Sequence, residues 1–223
     1  IHPGVFSLIQ GGNRLTGAAL VQHPLINAVG FTGSLAGGRA LFDLCAQRPN
    51  PIPFFGELGS VNPMFFLPHA LAARGAEIAA GWAGSLTMGA GQFCTNPGIS
   101  VVLDGPQAEA FARAATDALK PIGAQIMLTD GIARAYRAGR DRVAHSAGVQ
   151  ELLTSVCDLR NATPYLYMTT GETWLKNEAL GEEVFGPLGL IVVVKDMAEM
   201  TALARSLHGQ LTCTVHMDAE DAE

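Results

Sequence analysis

Short apolar runs alternate with longer amphipathic stretches along this chain. The runs that have the length of buried strands are residues 5–9, 26–31, 52–55, 63–67, 99–103, 165–169, 188–195 and 211–216. The stretches with helical spacing are residues 15–22, 39–46, 70–88, 107–119, 131–144 and 198–207. Strands that alternate with helices predict an α/β fold with a largely parallel sheet.

Three glycines interrupt the Ala-rich helix predicted over residues 70–88. Gly75, Gly81 and Gly84 lower its helical propensity. We therefore expect them to allow close packing against another helix.

The charge balance and the length of the apolar runs exclude two classes of partner. The 14 Lys and Arg residues stand against 20 Asp and Glu residues, which gives a net charge of -6, and the basic residues form no cluster. Phosphate backbones are bound by clustered basic side chains, so nucleic acid is not an expected partner. Each apolar run is broken before the roughly 20 residues that a membrane-spanning helix needs.

The cysteines and histidines are dispersed. Cys45, Cys94, Cys157 and Cys213 form no C-x-x-C pair, and the six histidines form no H-E-x-x-H motif. The sequence therefore predicts neither a metal site nor a disulfide framework, and it predicts a cytoplasmic location.

Residues 89–98 read Gly-Ala-Gly-Gln-Phe-Cys-Thr-Asn-Pro-Gly and place Cys94 in a loop of small residues. Backbone and thiol can approach a substrate closely in such a loop, which favours a nucleophilic cysteine. The alternative is a buried cysteine that fills the core, since free cysteine is among the most often buried residues.

Two other segments have polar groups at the ends of predicted strands. At residues 31–34, Phe-Thr-Gly-Ser leads from a strand into a helix, an arrangement that presents N–H groups to a phosphate. An ordinary turn with Ser34 as the helix cap is equally compatible. Glu57 follows a short strand, where it can act as a general base or serve as a cap or ion-pair partner.

Four motifs together resemble the NAD(P)-dependent aldehyde dehydrogenases, and the resemblance covers essentially the whole chain. In order they are Phe-Thr-Gly-Ser at 31–34, Gly-Glu-Leu-Gly-Ser-Val-Asn-Pro at 56–63, Gly-Gln-Phe-Cys at 91–94 and Gly-Glu-Glu-Val-Phe-Gly-Pro at 181–187. The resemblance implies the α/β fold of that family and the oxidation of an aldehyde to a carboxylic acid.

The resemblance also implies a role for each matching residue. Cys94 is the expected nucleophile, and Glu57 the general base that activates water against the thioester. The cofactor, NADP or NAD, is expected to meet Gly33 and Ser34 through its pyrophosphate. Glu183 is expected to bind the nicotinamide ribose, with Phe185 packed nearby.

One motif departs from the usual pattern of the family. The usual motif begins Glu-Leu-Gly-Gly-Lys. Here Ser60 and Val61 replace the second Gly and the Lys, and Asn62 replaces the residue that follows. Together with the Cys94 motif, this resembles the branch that contains the α-ketoglutaric semialdehyde (2,5-dioxopentanoate) dehydrogenases and NADP-dependent fatty aldehyde dehydrogenases. By analogy, 2,5-dioxopentanoate is the expected substrate and 2-oxoglutarate the product, with a medium or long-chain fatty aldehyde as the alternative substrate. Phe93 is expected to line the aldehyde tunnel.

The resemblance divides the chain into the C-terminal part of a cofactor-binding domain, residues 1–58, and a catalytic domain, residues 59–223. The chain starts at Ile1 without methionine and stops in an acidic segment. We therefore expect it to be an internal piece of a longer protein, with the catalytic domain incomplete. We expect the piece alone to lack efficient turnover, and the full-length protein to form a homodimer or homotetramer.

Two other classes of function remain open from the residues alone. The first is a cysteine acyltransferase or hydrolase without nicotinamide, for which His69 and His145 are the available bases. The second is a binding or structural module in which the thiol plays no part.

Overall fold

The computed structural model describes residues 2–11 and 13–222, and the polypeptide divides into two compact units, residues 1–59 and 60–223. The helices are α1 (Arg14–Gln22), α2 (Leu35–Ala46), α3 (Pro68–Thr87), α4 (Pro106–Leu119), α5 (Asp130–Ala144), α6 (Gly171–Lys176) and α7 (Met197–Ser206). The strands are β1 (Val29–Gly33), β2 (Phe54–Leu58), β3 (Met64–Phe66), β4 (Ile99–Leu103), β5 (Gln125–Ile126), β6 (Gln150–Leu153), β7 (Asn161–Ala162), β8 (Tyr165–Thr170), β9 (Leu188–Val194) and β10 (Thr214–His216).

The first unit contains α1, α2 and a parallel pair of strands. β1 and β2 are in register, with Thr32 opposite Glu57 and Gly33 opposite Leu58. Residues 56–58 were expected to follow a strand that ends at residue 55. They lie within β2 instead, because they continue the ladder with β1.

The strand predicted over residues 5–9 is wrong. These residues form bends and irregular backbone, and Val5, Phe6 and Leu8 are more than two-thirds exposed. A strand needs a hydrogen-bonded neighbour, and among the described residues of this unit the sheet pairs only β1 with β2. The turn expected at Gly11 and Gly12 falls partly on residue 12, which is outside the described residues.

The second unit is built on a six-stranded sheet in the order β10-β3-β4-β9-β8-β6. All neighbouring pairs are parallel except β6 and β8, which confirms the prediction of a largely parallel α/β sheet. Strands buried on both faces are near-continuous apolar runs, as in β4 and β9.

Each face of this sheet has its own hydrophobic core. Val101 and Val192 pack with buried residues of α5, α6 and α7, including Tyr136 and Trp174. The intervening side chains of the same strands, such as Val102 and Ile191, pack with buried residues of α3 and α4. The alternation follows from the two-residue period of a strand.

The last predicted strand, residues 211–216, is shortened to β10. Leu211 and Thr212 donate their backbone N–H groups to the side chains of Ser60 and Asn62 instead of to a strand. The loop before β10 is therefore fastened to the segment before β3.

Candidate active site

Cys94 lies in an exposed turn after α3. The backbone N–H of Asn96 donates to the carbonyl oxygen of Phe93 at 3.0 Å, which closes the turn around Cys94 and Thr95. Cys94 and Cys213 are exposed, whereas Cys45 is buried and Cys157 is half-buried. The thiol at position 94 is thus accessible to a small electrophile.

The approach to this turn has an unusual backbone. Gly89, Ala90 and Gly91 have φ values of 56°, 57° and 66°, in the left-handed region. That conformation costs a residue with a Cβ about 1–2 kcal/mol. Ala90 is held in it by burial and by a 2.8 Å hydrogen bond from its N–H to Oε1 of Gln125.

Gly91 brings the Cys94 motif against the motif that contains Glu183. A Cβ at Gly91 would lie 2.3 Å from the carbonyl carbon of Gly186 and 2.5 Å from the nitrogen of Pro187. Two backbones can approach this closely only where a residue lacks a side chain. The Cys94 motif and the Glu183 motif therefore meet in the second unit.

Tyr136 supports the Glu183 motif from the core. A Cβ at Gly186 would lie 2.2 Å from the Tyr136 ring, which is buried. The Tyr136 hydroxyl donates to the carbonyl oxygen of Thr163 at 2.9 Å and lies 3.4 Å from that of Pro187. Burial, with the nearby Tyr165, raises the pKa of Tyr136, so the hydroxyl stays a donor.

Glu183 and Phe185 lie in the half-buried segment before β9. Both line a narrow cavity of about 20 Å³, on the scale of one water molecule. The neighbouring Glu182 pairs with Arg142 of α5 at 3.2 Å.

Phe93 directly precedes Cys94 in the chain and is 47% exposed. A Cβ at Gly89 would lie 2.7 Å from its ring, so the ring packs over that glycine. An exposed aromatic ring one residue before an exposed thiol offers a flat apolar surface to a small molecule.

In the first unit, Gly33, Ser34 and Glu57 lie at the same end of the β1–β2 pair. Ser34 caps α2, and its Oγ accepts the N–H of Gly37 at 3.2 Å. The first turn of α2 has no acidic side chain. This helix start fits a diphosphate group, because the helix dipole favours anions there and Gly33, Ala36 and Gly37 leave room near the first turn.

The predicted residues fall into two groups. Phe93, Cys94, Glu183 and Phe185 belong to the second unit, and Gly33, Ser34 and Glu57 belong to the first.

The sequence interpretation missed the residues that hold the Cys94 turn. Asn62 donates to the carbonyl oxygens of Cys94 and Asn96. The Gln125 side chain bonds to the backbone of residues 87 and 90, and the Gln92 side chain bonds to that of residues 89 and 128. The departure at residues 60–62 was a signal in the sequence, but no periodicity links it to position 94.

The histidines considered for an acyltransferase have contacts elsewhere. His69 is exposed in the first turn of α3, whereas the Cys94 segment follows the other end of this 20-residue helix. The Nδ1 atom of His145 lies 2.6 Å from the carbonyl oxygen of Asp141 in its own helix. These positions give no support to a Cys–His pair.

In the part of the chain that the structure describes, no group of three or more His, Cys, Asp or Glu residues is placed to hold a metal ion. Across residues 2–11 and 13–222, no helix is both long and apolar enough to cross a membrane.

The comparison with protein families gives a match over residues 1–222 to the sequence model described as "Aldehyde dehydrogenase family". The chain is 47% identical over 223 residues to "Alpha-ketoglutaric semialdehyde dehydrogenase 2" of Azospirillum brasilense, which covers 98% of this chain and 42% of the relative. It is 40% identical to "Alpha-ketoglutaric semialdehyde dehydrogenase" of Acinetobacter baylyi, over 99% of this chain and 42% of the relative. The chain thus spans about two-fifths of the length of these curated relatives.

Solved structures share the fold. An NAD-dependent benzaldehyde dehydrogenase from Corynebacterium glutamicum superposes with a TM-score of 0.77 at 23% identity, over 95% of this chain and 46% of that one. Methylmalonate-semialdehyde dehydrogenase from Oceanimonas doudoroffii also gives a TM-score of 0.77, at 17% identity, over 95% and 45%. These likenesses confirm the predicted fold.

Proposed function

We propose, from the premise that this chain belongs to the aldehyde dehydrogenase family, that it supplies the nucleophile and general base of an NAD(P)-dependent aldehyde dehydrogenase. The observation that carries the proposal is the exposed Cys94 turn, held against the motif that contains Glu183 by the backbone contact at Gly91. We also assign residues 1–58 to a cofactor-binding domain and residues 59–223 to a catalytic domain, a division one residue from the boundary between the two units.

In the proposed reaction, the Cys94 thiolate attacks the aldehyde carbon and forms a carbon–sulfur bond. The carbonyl electron pair moves onto oxygen, and the backbone N–H of Cys94 is a candidate donor to that oxyanion. Phe93 is assigned to the wall of the aldehyde path.

Once the carbon has been oxidised, a thioester to Cys94 remains. Glu57 is assigned as the base that takes a proton from water, which attacks the thioester carbon and releases the carboxylic acid and the thiolate.

The nicotinamide cofactor, when bound, supplies the two-electron oxidant for the step between attack and hydrolysis. Gly33 and Ser34, at the start of α2, are assigned to its diphosphate. Glu183 and Phe185 are assigned to its nicotinamide ribose and ring. NADP and NAD both remain compatible with these residues.

The proposed substrate is 2,5-dioxopentanoate, which would be oxidised to 2-oxoglutarate. The support is the similarity, over 98–99% of this chain, to two proteins named as alpha-ketoglutaric semialdehyde dehydrogenases. A cytoplasmic location and a homodimer or homotetramer of the full-length protein complete the proposal.

The test is steady-state and burst kinetics of the full-length protein with NAD and NADP. The substrate panel contains 2,5-dioxopentanoate, medium and long-chain fatty aldehydes and benzaldehyde. Cys94→Ser should lower the rate of cofactor reduction by at least about a thousandfold, because serine is a far weaker nucleophile near neutral pH. Glu57→Gln should give a burst of reduced cofactor with little steady turnover, because acylation proceeds and hydrolysis stalls.

Cys213→Ser is the control, since it removes another exposed thiol and should leave the burst and the steady rate unchanged. Unchanged turnover in Cys94→Ser would reject the function. Unchanged steady turnover in Glu57→Gln would remove that residue from the scheme.

A further inference from the structure

The turn that presents Cys94 is held from the protein side by Asn62. Its Nδ2 donates to the carbonyl oxygen of Cys94 at 2.8 Å and to that of Asn96 at 2.9 Å. Both N–H bonds of the amide are thereby used. Because the carbonyl oxygen of Cys94 itself accepts one of these bonds, the peptide group between Cys94 and Thr95 is held in one orientation.

Asn62 is in turn fixed by its other side-chain atom. Its Oδ1 accepts the backbone N–H of Thr212 at 3.2 Å and the Thr212 hydroxyl at 2.9 Å, and Ser60 Oγ lies 2.9 Å away. The residue is 2% exposed and has a φ of 45°, a left-handed conformation that asparagine tolerates. These donors leave the amide one orientation, with Nδ2 toward the Cys94 turn.

Gln210 fixes the backbone that carries Asn62. Its Oε1 accepts the N–H of Val61 at 2.7 Å and that of Asn62 at 3.2 Å, and it lies 3.0 Å from Ser60 Oγ. Residues 60–62 are also the positions at which the sequence departs from the usual aldehyde dehydrogenase motif. The departure and Gln210 therefore form one hydrogen-bonded network.

We propose that Asn62 and Gln210 are positioning residues that orient the Cys94 thiol for attack, a role that rests on the function proposed above. Neither side chain acts on the substrate. Gln210 holds the segment at residues 60–62, Asn62 holds the turn, and the turn holds the thiol. A loss at Gln210 is transmitted to Cys94 because the intervening groups are buried polar atoms with few alternative partners.

A matched pair of substitutions at Gln210 tests the role in the full-length protein. Both substitutions lose the exposed hydrogen bond from Nε2 of Gln210 to the carbonyl oxygen of His208, at 3.1 Å, so they differ at the acceptor. Gln210→Glu keeps an acceptor oxygen at the same distance along the side chain, whereas Gln210→Met keeps the length and removes the strong acceptor. We expect Gln210→Met to lower kcat per active site by about 10–100-fold, with KM changed less than about threefold, and Gln210→Glu to stay within about threefold of wild type. Burst titration gives the concentration of active sites.

Titration of active sites separates positioning from a merely structural role. A structural role would lower the fraction of active sites or the unfolding temperature and leave kcat per site unchanged, and that result would overturn the proposal. Equal losses in the Glu and Met variants would overturn it as well, because the acceptor oxygen would then be irrelevant.

Alkylation of Cys94 by iodoacetamide provides a readout that needs neither aldehyde nor nicotinamide. We expect the rate, followed from pH 6 to 10, to give a different profile in Gln210→Met than in wild type and Gln210→Glu. Matching profiles for all three would overturn the positioning role whatever the enzyme's activity. An inactive wild type with a profile altered only in Gln210→Met would instead reject the dehydrogenase function and keep the positioning role.

Asn62→Asp tests the link that contacts the turn. It preserves the shape of the side chain but places a carboxylate oxygen against two carbonyl oxygens, so kcat per site should fall at least as far as in Gln210→Met. Thr212→Val, which removes one hydroxyl donor and leaves Nδ2 in place, should give a smaller loss. A larger loss of kcat per site in Thr212→Val than in Asn62→Asp would contradict the proposed role of Asn62.

Discussion

Two buried serines in the second unit have opposite surroundings. Ser100 on β4 is fully buried, and within the described residues its Oγ has no hydrogen-bond partner. Ser60 is also buried, but its Oγ takes part in the network with Asn62 and Gln210. A buried polar group without a partner destabilises the folded state, whereas one with good partners is costly to remove.

Ser100→Ala should therefore raise the free energy of unfolding by about 1 kcal/mol, and Ser60→Ala should lower it by about the same amount or more. Urea or thermal unfolding of the full-length variants checks both signs. A loss of stability in Ser100→Ala would mean that its hydroxyl is satisfied in solution.

At the residue scale, the sequence identifies groups with chemistry better than it identifies their supports. Cys94 could be singled out because a thiol among glycines has a local pattern, and it lies in an exposed turn. Asn62 and Gln210 could not be paired from the sequence, since they are 148 residues apart and their partners are mostly backbone atoms. The catalytic assignments of Cys94 and Glu57 remain predictions.

At the scale of elements, Gly91 is required by a close contact between two segments, whereas Gly84 is not. A Cβ at Gly91 would overlap the backbone of Gly186 and Pro187, whereas one at Gly84 in α3 would meet no atom within 4 Å in the described structure. The expectation that Gly81 and Gly84 allow close helix packing finds no such contact, because both face open space.

Gly91→Ala should accordingly lower the free energy of unfolding by about 2 kcal/mol or more and disturb the Cys94 turn, since neither backbone can give way and φ is positive. Gly84→Ala should raise it by about 0.5–1 kcal/mol, because alanine favours the helical conformation. Chemical unfolding of both variants, with the rate of Cys94 alkylation, provides the measurement. A neutral Gly91→Ala would show that the two segments lie further apart.

Hydrophobic periodicity predicted the helices and strands of the core, but it missed short elements and misread one unpaired apolar run. β4 matches its prediction, and α4, α5 and β9 agree within a residue or two, because both faces of the sheet are buried and apolar runs mark them. The two-residue strands β5 and β7 and the short α6 were not predicted, since such segments contain too few residues to show a period. The apolar run at residues 5–9 was misread, because hydrophobicity alone does not supply a paired neighbour.

At the scale of the whole molecule, the two units differ in how much sheet they contain. The second has six strands with a core on each face, and the first has one parallel pair. A two-stranded sheet is marginally stable, whereas central strands of a larger sheet open only in near-global unfolding.

Hydrogen exchange of the 1–223 polypeptide should reflect this difference. Backbone amides of β4 and β9 should exchange at least about tenfold more slowly than those of β1 and β2, because they are central and buried. Peptide-level mass spectrometry gives the comparison within one sample. Equal protection of β2 and β9 would show that the first unit has a stabilising element besides its strand pair.

The contact between Gln210 and residues 60–62 also determines when, during synthesis, the Cys94 turn can form all its supporting hydrogen bonds. Asn62 leaves the ribosome 148 residues ahead of its support, which corresponds to roughly 7–30 s at ordinary elongation rates. Until residue 210 emerges, the backbone of residues 61 and 62 lacks its hydrogen bonds to Gln210. The Cys94 turn, which Asn62 contacts, therefore gains its full set of hydrogen bonds only after most of the second unit has been translated.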